Sequence, residues 1–450
     1  MNLKYPSLNH LKIAQQSDIL FKVTTCILAV VALYAFFNNF YYLQGIVPAG
    51  DELWFSKHEI GFDYFYLRYN TWSSRLLIET AVIFFSHHYS LFFIALGISY
   101  LSLPFAFFII LNSLWPQLAF HKINSFVLCV AISIFIPYFE LTSAGIIATA
   151  TNYYLPMVSM SWLVALLFTF KRFSICKAIT VALLGLFAFN HEQYGLFGFL
   201  LLVPLYLSKK TDRKLFVVIA VIAILSLIFH LTCPGNNARL HQEINWLPEF
   251  AFYSLLDKLS LGIVLFAERI AVFNKIIVYV LTFSILLSSL FKVSSSFKQR
   301  IFFVLLSIFV VYLLKLVIAD VPDVLLKSKD AIFDNVSLKF ITASVLYFAI
   351  LFIVFCAGGK QRFTNIALSY TLCVSIAVTV LISWSPTMFA SGLRTGFLFA
   401  SVACFIALAL LHSLDKLSLK LLCNVALLYA VFENLRYIEK LSKYLLLAIN

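Results

Sequence analysis

Long apolar runs alternate with short polar segments along almost the whole chain. A helix that crosses a membrane needs about 20 mostly apolar residues, and on that measure we count roughly twelve spans, several of them short. The predicted spans cover residues 19–43, 89–112, 123–139, 156–170, 178–190, 191–208, 215–232, 274–291, 301–319, 338–357, 364–384 and 396–412. The pattern predicts an all-α polytopic membrane protein with about 12 transmembrane helices, within a range of about 11–13.

Composition supports the same fold class. Hydrophobic residues make up 62% of the chain and charged residues only 12%. Soluble globular proteins are about half apolar and about a quarter charged, so this composition excludes a soluble protein. The formal net charge of +13 would suit a nucleic acid partner, but the basic residues form short clusters between the apolar spans. We therefore predict a lipid bilayer as partner and no nucleic acid.

The basic clusters also orient the chain. They fall on alternate loops, at 121–122, 171–177, 209–214, 292–300, 360–362 and 416–420. The positive-inside rule places these loops and the N-terminus in the cytoplasm. The outer side then receives the polar segments 44–88, 140–155, 190–195, 233–273, 320–337 and 385–395. Within the first of them, residues 76–88 are amphipathic and are predicted to lie along the outer interface.

The chain shows no internal repeat and no soluble domain in its sequence, so we assign residues 1–412 to one transmembrane domain. Residues 413–450 carry apolar residues at helical spacing with Lys and Arg between them. This pattern predicts a cytoplasmic amphipathic tail that lies on the membrane. A further span over residues 419–433 is the alternative.

Two adjacent carboxylates, Asp51 and Glu52, stand in the first polar segment after a span. A positioned carboxylate can take the proton of an acceptor hydroxyl and make it nucleophilic, so both are candidate catalytic bases. Asp51 is preferred by position, and Glu52 is either its partner or a residue that only solvates the loop. The alternative for the whole segment is an interfacial loop with an aromatic belt and solvated charges.

Arg239 and Arg394 lie beside outer membrane boundaries and outside any basic cluster. Outward positive charge runs against the usual bias, and the planar fork of arginine matches phosphate oxygens. We predict that both bind the phosphate of a donor, with Arg75 and Asn236 as further donor-binding residues. The alternative is an arginine that extends to lipid headgroups.

Asn152 and Tyr153 follow a run of small residues, and His191 and Glu192 form a polar pair in an apolar stretch. Asn and Tyr can hydrogen-bond sugar hydroxyls, and ionisable residues at membrane depth are costly enough to suggest function. Together with Trp72, which can stack on a sugar, they are the candidate substrate-binding residues. The alternatives are an ordinary helix start for the first pair and an exposed turn for the second.

No metal site is predicted. The eight cysteines stand singly, and the nine histidines form no recognised ligand spacing. A divalent cation between Asp51 and Glu52 is left open, and no other cofactor is expected.

The ordered outer-side motifs resemble those of bacterial GT-C-type membrane glycosyltransferases. More narrowly, they are similar to the phage-type O-antigen glucosyltransferases. The motifs are DE at 51–52, WSSR at 72–75, NYYLP at 152–156, HEQ at 191–193, PGNNAR at 234–239 and SPTMFASGLR at 385–394. Relatives more often carry a double aspartate in the first outer loop, so the assignment between Asp51 and Glu52 stays open.

The resemblance implies a GT-C-like fold with outer-face loops and interfacial helices. It implies that glucose or another hexose moves from polyprenyl phosphate to a surface glycan such as the lipopolysaccharide O-antigen. The active face would be periplasmic, in a multi-pass protein of the bacterial inner membrane. The first-loop acid of the family falls on Asp51 with Glu52 adjacent, and its phosphate-facing arginines fall on Arg239 and Arg394.

Two other functions remain as alternatives. A glycan polymerase or ligase would use a polyprenyl diphosphate and outer arginines, but such enzymes centre on long outer loops rich in Arg or His. A lipid or glycan transporter (a flippase) is expected to show inverted repeats and helices broken near the midplane, and the sequence shows no repeat.

Overall fold

The computed structural model describes residues 8–44, 49–115, 122–268, 275–292, 297–319, 338–357, 362–387, 391–414 and 416–449. These residues form nineteen α-helices and contain no β-strand. The helices are α1 (Leu8–Gln44), α2 (Asp51–Phe55), α3 (Phe62–Thr71), α4 (Leu76–His87), α5 (Tyr89–Leu114), α6 (Lys122–Ser133), α7 (Ile146–Thr149), α8 (Leu155–Thr169), α9 (Ile175–Phe189), α10 (Glu192–Ser208), α11 (Arg213–Thr232), α12 (Pro234–Glu243), α13 (Leu255–Glu268), α14 (Lys275–Lys292), α15 (Phe297–Ala319), α16 (Leu338–Ala357), α17 (Arg362–Val380), α18 (Phe397–His412) and α19 (Leu417–Ile449). A π-helical turn joins α7 to α8 over Ala150–Tyr154, and a 3-10 turn over Gly392–Gly396 precedes α18.

In the described part of the chain, six helical stretches are long and apolar enough to cross a membrane. They are Gln16–Leu43, Tyr89–Leu114, Arg213–Thr232, Thr364–Trp384, Arg394–His412 and Leu417–Glu439. Six further apolar helices are shorter, at 10–17 residues each. The chain is an all-α membrane protein, as predicted. The number of about twelve spans and the GT-C-like architecture stay predictions.

Helix α18 is the most deeply buried of these six stretches. In the stretch Arg394–His412, 94% of the most apolar segment is buried, because α6, α14 and α17 pack around this helix. A helix that is apolar on every side is stable where neighbours cover all of its faces. The turn at its N-terminal end carries Arg394, so this buried helix anchors the backbone of that arginine.

Helix α19, which covers most of the tail predicted for residues 413–450, packs along α1. The side chain of Asn424 is buried between the helices and donates a hydrogen bond to Thr25 Oγ1 at 2.9 Å. Farther along α19, the ring of Tyr437 packs against that of Phe139, with centroids 5.5 Å apart. The stretch Leu417–Glu439 is long and apolar enough to cross a membrane, and the surface-lying tail and the alternative of a further span both stay predictions.

The predicted outer segment 320–337 lies outside the described residues. The other five outer segments each contribute residues to one end of the helix assembly. This end holds the candidate site.

Candidate functional site

A polar cavity of about 520 Å³ opens where α2, α3, α12 and the π-helical turn meet. We call it the polar cavity, and it is lined by Asp51, Trp54, Phe55, Arg68, Thr71, Trp72, Ser73, Arg75, Glu79, Ala144, Ala148, Thr149, Asn152, Tyr153, Arg239, Gln242 and Arg394. Its walls come from four stretches that are far apart in the sequence. Its volume falls within the range of about 300–1,000 Å³ that is common for small-molecule sites.

Two glycines in left-handed conformations bring Asp51 to the cavity. Gly50 has a φ of 65° and Gly145 a φ of 96°, which only glycine adopts without strain. The two backbones cross so closely that a Cβ at Gly145 would lie 2.2 Å from the carbonyl oxygen of Ala49. The amide of Asp51 donates to the carbonyl of Ala144 at 3.0 Å. The crossing therefore fixes the start of α2 against the start of α7.

The side chain of Glu52 closes this crossing. It is 1% exposed, and its carboxylate accepts hydrogen bonds from the amides of Ala49 and Ile147, each at 2.6 Å, and of Ala148 at 3.4 Å. Burial raises the pKa of this carboxyl, and the backbone donors oppose the shift. Glu52 thus serves the unpaired amides at the start of α7. It does not line the polar cavity.

The side chain of Asp51 has the opposite environment. It is exposed and lines the polar cavity, and no described residue gives its carboxylate a hydrogen bond or an ion pair. The structure thereby separates the two adjacent acids: Asp51 is free to act on a ligand, and Glu52 holds the backbone. Both oxygens of Glu52 accept backbone amides, whereas the carboxylate of Asp51 faces the polar cavity.

Arg75 is paired with Glu192 at the wall of the cavity. Its Nε donates to Glu192 Oε2 at 2.5 Å. Ser74 Oγ lies 3.3 Å from the other carboxylate oxygen and 2.8 Å from His230 Nδ1. His230 Nε2 donates to the carbonyl of Phe189 at 2.7 Å. Glu192 therefore neutralises Arg75 and ties α4 to α10 and α11, behind the lining of the cavity.

A second buried ion pair forms another wall. Arg68 donates to Glu79 through two nitrogens, Nε at 2.7 Å and Nη2 at 2.9 Å. The guanidinium carbon lies 5.0 Å from the centroid of Trp54 and 5.3 Å from that of Trp72. A two-pronged ion pair between two indole faces is a rigid arrangement. It places Trp72 and Trp54 at the cavity surface, and it occupies Arg68.

Arg239 and Arg394 carry the less compensated positive charges. Arg239 Nε lies 3.6 Å from Glu243 Oε2, to which Thr387 also donates at 3.3 Å. Burial raises the pKa of the Glu243 carboxyl, and Arg239 opposes the shift. Arg394 Nε is buried without a hydrogen-bond partner among the described residues, and its guanidinium carbon lies 5.9 Å from the ring centroid of Tyr153. Arg394 is therefore suited to receive an anion.

Asn152 and Tyr153 lie on the π-helical turn, a distortion that is frequent at functional sites. The amide of Asn152 donates to the carbonyl of Ala148 at 2.8 Å, which leaves its oxygen available to the cavity. The ring of Tyr153 packs against His191, with centroids 4.9 Å apart. His191 Nδ1 accepts from the amide of Gln193 at 3.2 Å, and His191 does not line the cavity.

Asn236 also lies outside the cavity lining. Its amide donates to the carbonyl of His230 at 2.8 Å and so joins α12 to the end of α11. The adjacent Gly235 lets α12 approach the end of α3, because a Cβ there would lie 2.5 Å from the amide nitrogen of Trp72.

The structure therefore gathers seven of the predicted site residues in one cavity: Asp51, Trp72, Arg75, Asn152, Tyr153, Arg239 and Arg394. It places the other four, Glu52, His191, Glu192 and Asn236, in contacts behind the lining. Their predicted roles in catalysis or binding stay predictions, and the structure gives each of the four a supporting position.

Sequence reasoning missed three residues of this site. His230 lies near the end of a predicted span, and a lone histidine in an apolar run was its signal. Glu243 follows Arg239 by four residues, which is the spacing of an ion pair on a helix. Ser74 stands inside the WSSR motif but gave no signal of its own, because its partners are distant in the chain.

Within the described part of the chain, no group of three or more His, Cys, Asp or Glu residues could hold a metal ion. Comparisons with protein-family models, curated proteins and solved structures found no match to this chain.

Proposed function

We propose that this chain is a membrane glycosyltransferase. It moves glucose or another hexose from polyprenyl phosphate to a surface glycan such as the lipopolysaccharide O-antigen, at the periplasmic face of the bacterial inner membrane. The observation that carries the proposal is that one cavity is lined by both Asp51 and Arg394, and that neither the Asp51 carboxylate nor the Arg394 Nε has a partner among the described residues. A base and an anion-binding group in one aromatic-walled cavity are what this transfer requires.

In the proposed reaction, Asp51 removes the proton from an acceptor hydroxyl. The hydroxyl oxygen forms a bond to the anomeric carbon, and the bond from that carbon to the phosphate oxygen breaks. The phosphate leaves with the electron pair, and Arg394 and Arg239 stabilise its charge. A single displacement of this kind inverts the anomeric centre.

The remaining wall residues have distinct tasks in this proposal. Trp72 and Trp54, held by Arg68, offer flat faces on which a sugar ring stacks and from which water is excluded. Arg75 is already paired with Glu192, so it positions the wall and contributes less net charge to the donor.

The deciding experiment is mass spectrometry of surface polysaccharide from cells that lack the gene and from the same cells carrying wild-type or variant protein. We expect the deletion to remove one hexose from each repeat and the wild-type gene to restore it. Asp51→Asn should fail to restore the hexose. Asp63→Asn is the matched control, because Asp63 is an exposed acid of the same outer segment that does not line the polar cavity.

Other outcomes separate the alternatives. Full restoration by Asp51→Asn would overturn the catalytic role of this acid. A change in polymer length, with the repeat unit intact, would indicate a polymerase or ligase. An unchanged glycan in the deletion strain would contradict the proposal and favour a transporter.

A further inference from the structure

A second cavity, of about 450 Å³, lies between α1, α14, α19 and residues 134–139. We call it the α1–α19 cavity. The chain that lines it at 134–139 continues directly into the wall of the polar cavity at 144–153. No residue is shared between the two linings, so the α1–α19 cavity is a separate site that the proposed function does not use.

Most of its wall is apolar. The wall includes side chains of Phe135 in the loop, Val280 and Phe283 on α14, and Leu427 on α19. An apolar cavity between membrane helices suits a hydrocarbon chain better than a hydrophilic solute.

One buried polar side chain interrupts this wall. Asn39 is 4% exposed and lines the cavity, and its amide oxygen has no hydrogen-bond partner among the described residues. The hydroxyl of Tyr100, which lies beside it, donates to the carbonyl of Phe36 at 2.8 Å. A buried amide oxygen without a partner costs free energy, and a ligand that offers a polar atom at this position would remove that cost.

The remaining lining is positively charged. Lys275 at the start of α14 and Arg436 on α19 contribute two cations, and Glu433 contributes one acid. Arg436 Nη1 donates to Glu433 at 2.9 Å, and the side chain of Arg436 is exposed while that of Glu433 is partly exposed. Lys275 is exposed and has no ion-pair partner among the described residues. The net charge of this group favours an anion at the level where α14 begins.

We propose that the α1–α19 cavity binds an anionic, phosphate-bearing lipid. Its hydrocarbon chain packs against the apolar wall, its phosphate lies between Lys275 and Arg436, and a polar atom near the head of the lipid bonds to Asn39. Two sources share this chemistry, namely an anionic phospholipid of the bilayer and a free polyprenyl phosphate. The inference rests on the second cavity alone and does not require the chain to be a glycosyltransferase.

The test is native mass spectrometry of the full-length protein in a neutral detergent, titrated separately with phosphatidylglycerol, with a polyprenyl phosphate and with the uncharged diacylglycerol. We expect one saturable site for at least one of the two anionic lipids and weaker binding of diacylglycerol. The anionic lipid that binds more tightly identifies the source. Equal binding of all three lipids, or no saturable site, would overturn the proposal.

Variants localise the site. Lys275→Gln combined with Arg436→Gln is expected to weaken binding of the anionic lipid roughly ten-fold and to leave diacylglycerol unaffected. The matched control is Arg213→Gln combined with Lys214→Gln, which removes the same charge from the exposed start of α11, outside the cavity lining. Equal weakening in both double variants would show a non-specific charge effect and contradict the site.

Asn39→Leu provides a second test, in which thermal stability and lipid affinity are expected to change in opposite directions. It removes the unpartnered amide oxygen, so the lipid-free protein should melt at the same or a higher temperature, whereas the lipid should bind more weakly. Unchanged lipid affinity in a folded Asn39→Leu protein would remove Asn39 from the proposed site.

Discussion

The contrast between two neighbouring carboxylates shows that residue type alone does not determine the role of a side chain. Asp51 and Glu52 have the same charge and adjacent positions, but the crossing at Gly50 and Gly145 turns one side chain to the cavity and the other to backbone amides. A short helix start leaves amides that need an acceptor, and Glu52 supplies it. Of the two acids, Asp51 is therefore the one whose carboxylate has no partner among the described residues.

Glu52→Gln is expected to lower stability and Asp51→Asn is not. The two oxygens of Glu52 each accept a backbone amide, but a glutamine side chain has one oxygen and one NH₂ group. Its NH₂ group would therefore face the amide N–H of Ala49 or of Ile147, which should lower the free energy of unfolding by about 1–3 kcal/mol. Thermal unfolding of the two detergent-purified variants, compared with wild type, measures this difference. A Glu52→Gln protein with the melting temperature of wild type would show that the backbone crossing at Gly50 and Gly145 does not depend on the carboxylate.

The pair formed by Arg239 and Glu243 predicts a pH dependence. Because burial raises the pKa of Glu243 above its usual range, this carboxyl gains a proton at a higher pH than an exposed glutamate does. Protonation removes the negative charge beside Arg239, so an anionic ligand should bind more tightly as the pH falls from neutral to mildly acidic.

Binding of a short-chain prenyl-phosphate sugar, measured by calorimetry over this pH range, checks the prediction. Such a phosphodiester keeps one negative charge throughout. The Glu243→Gln variant should bind at neutral pH as tightly as wild type does at acidic pH and should lose most of the pH dependence. An unaltered pH profile in this variant would show that another group titrates.

At the scale of elements, one glycine decides where α12 lies. Gly235 follows the first residue of α12 and touches the backbone at the end of α3, near Arg68, Tyr69 and Trp72. Helix α12 carries Arg239 one turn later, and α3 ends at the tryptophan that lines the cavity. The close approach of these two helices therefore sets the distance between an arginine and an aromatic wall of the site.

Gly235→Ala is expected to reduce both stability and glycan transfer. The added Cβ would lie 2.5 Å from the Trp72 nitrogen and 2.6 Å from the Tyr69 oxygen, and backbone atoms cannot yield as a side chain would. Overpacking of this kind costs about 1–3 kcal/mol. Thermal unfolding and the polysaccharide assay measure the two effects.

Gly61→Ala is the matched control, since a Cβ at Gly61 meets nothing within 4 Å. Its melting temperature and its glycan transfer should equal those of wild type. If Gly235→Ala behaved in the same way, α12 would be free to shift without consequence for the site.

At the scale of the whole molecule, the packing of α19 along α1 bears on the predicted topology. With α19 on the membrane surface, the C-terminus would stay in the cytoplasm with the basic loop at 416–420. In the structure, α19 begins near the end of α18, continues past Thr25 and Asn424, and reaches Phe139, which precedes the wall of the polar cavity. It therefore extends toward the end of the molecule that holds the candidate site.

A C-terminal reporter on the full-length chain tests this arrangement. We expect a phosphatase that is active only outside the cytoplasm to be active at the C-terminus, and a fluorescent protein that matures only in the cytoplasm to be dark there. The same pair of reporters at the N-terminus should give the opposite result. A cytoplasmic C-terminus would support the prediction that the tail lies on the membrane surface.

Local hydrophobicity was enough to predict an all-α membrane protein, since the cost of transferring a helix to lipid is a sum over its own residues. The polar segments likewise marked the stretches that supply the cavity. The ion pairs of the site could not be predicted in this way. Arg75 and Glu192 are 117 positions apart, and their contact depends on how α4, α10 and α11 pack.

The sequence by itself therefore determined the class of protein, the polar segments and the residue types available for chemistry. Only the tertiary structure decided that Glu52 bonds to the backbone, and that Arg75 is neutralised and α19 packs along α1. The same holds for Asp51 and for Arg394 Nε, which have no partner in the part of the chain that the structure describes. The physical reason is that transfer free energies are local, whereas hydrogen bonds and ion pairs join residues that only the packed helices bring together.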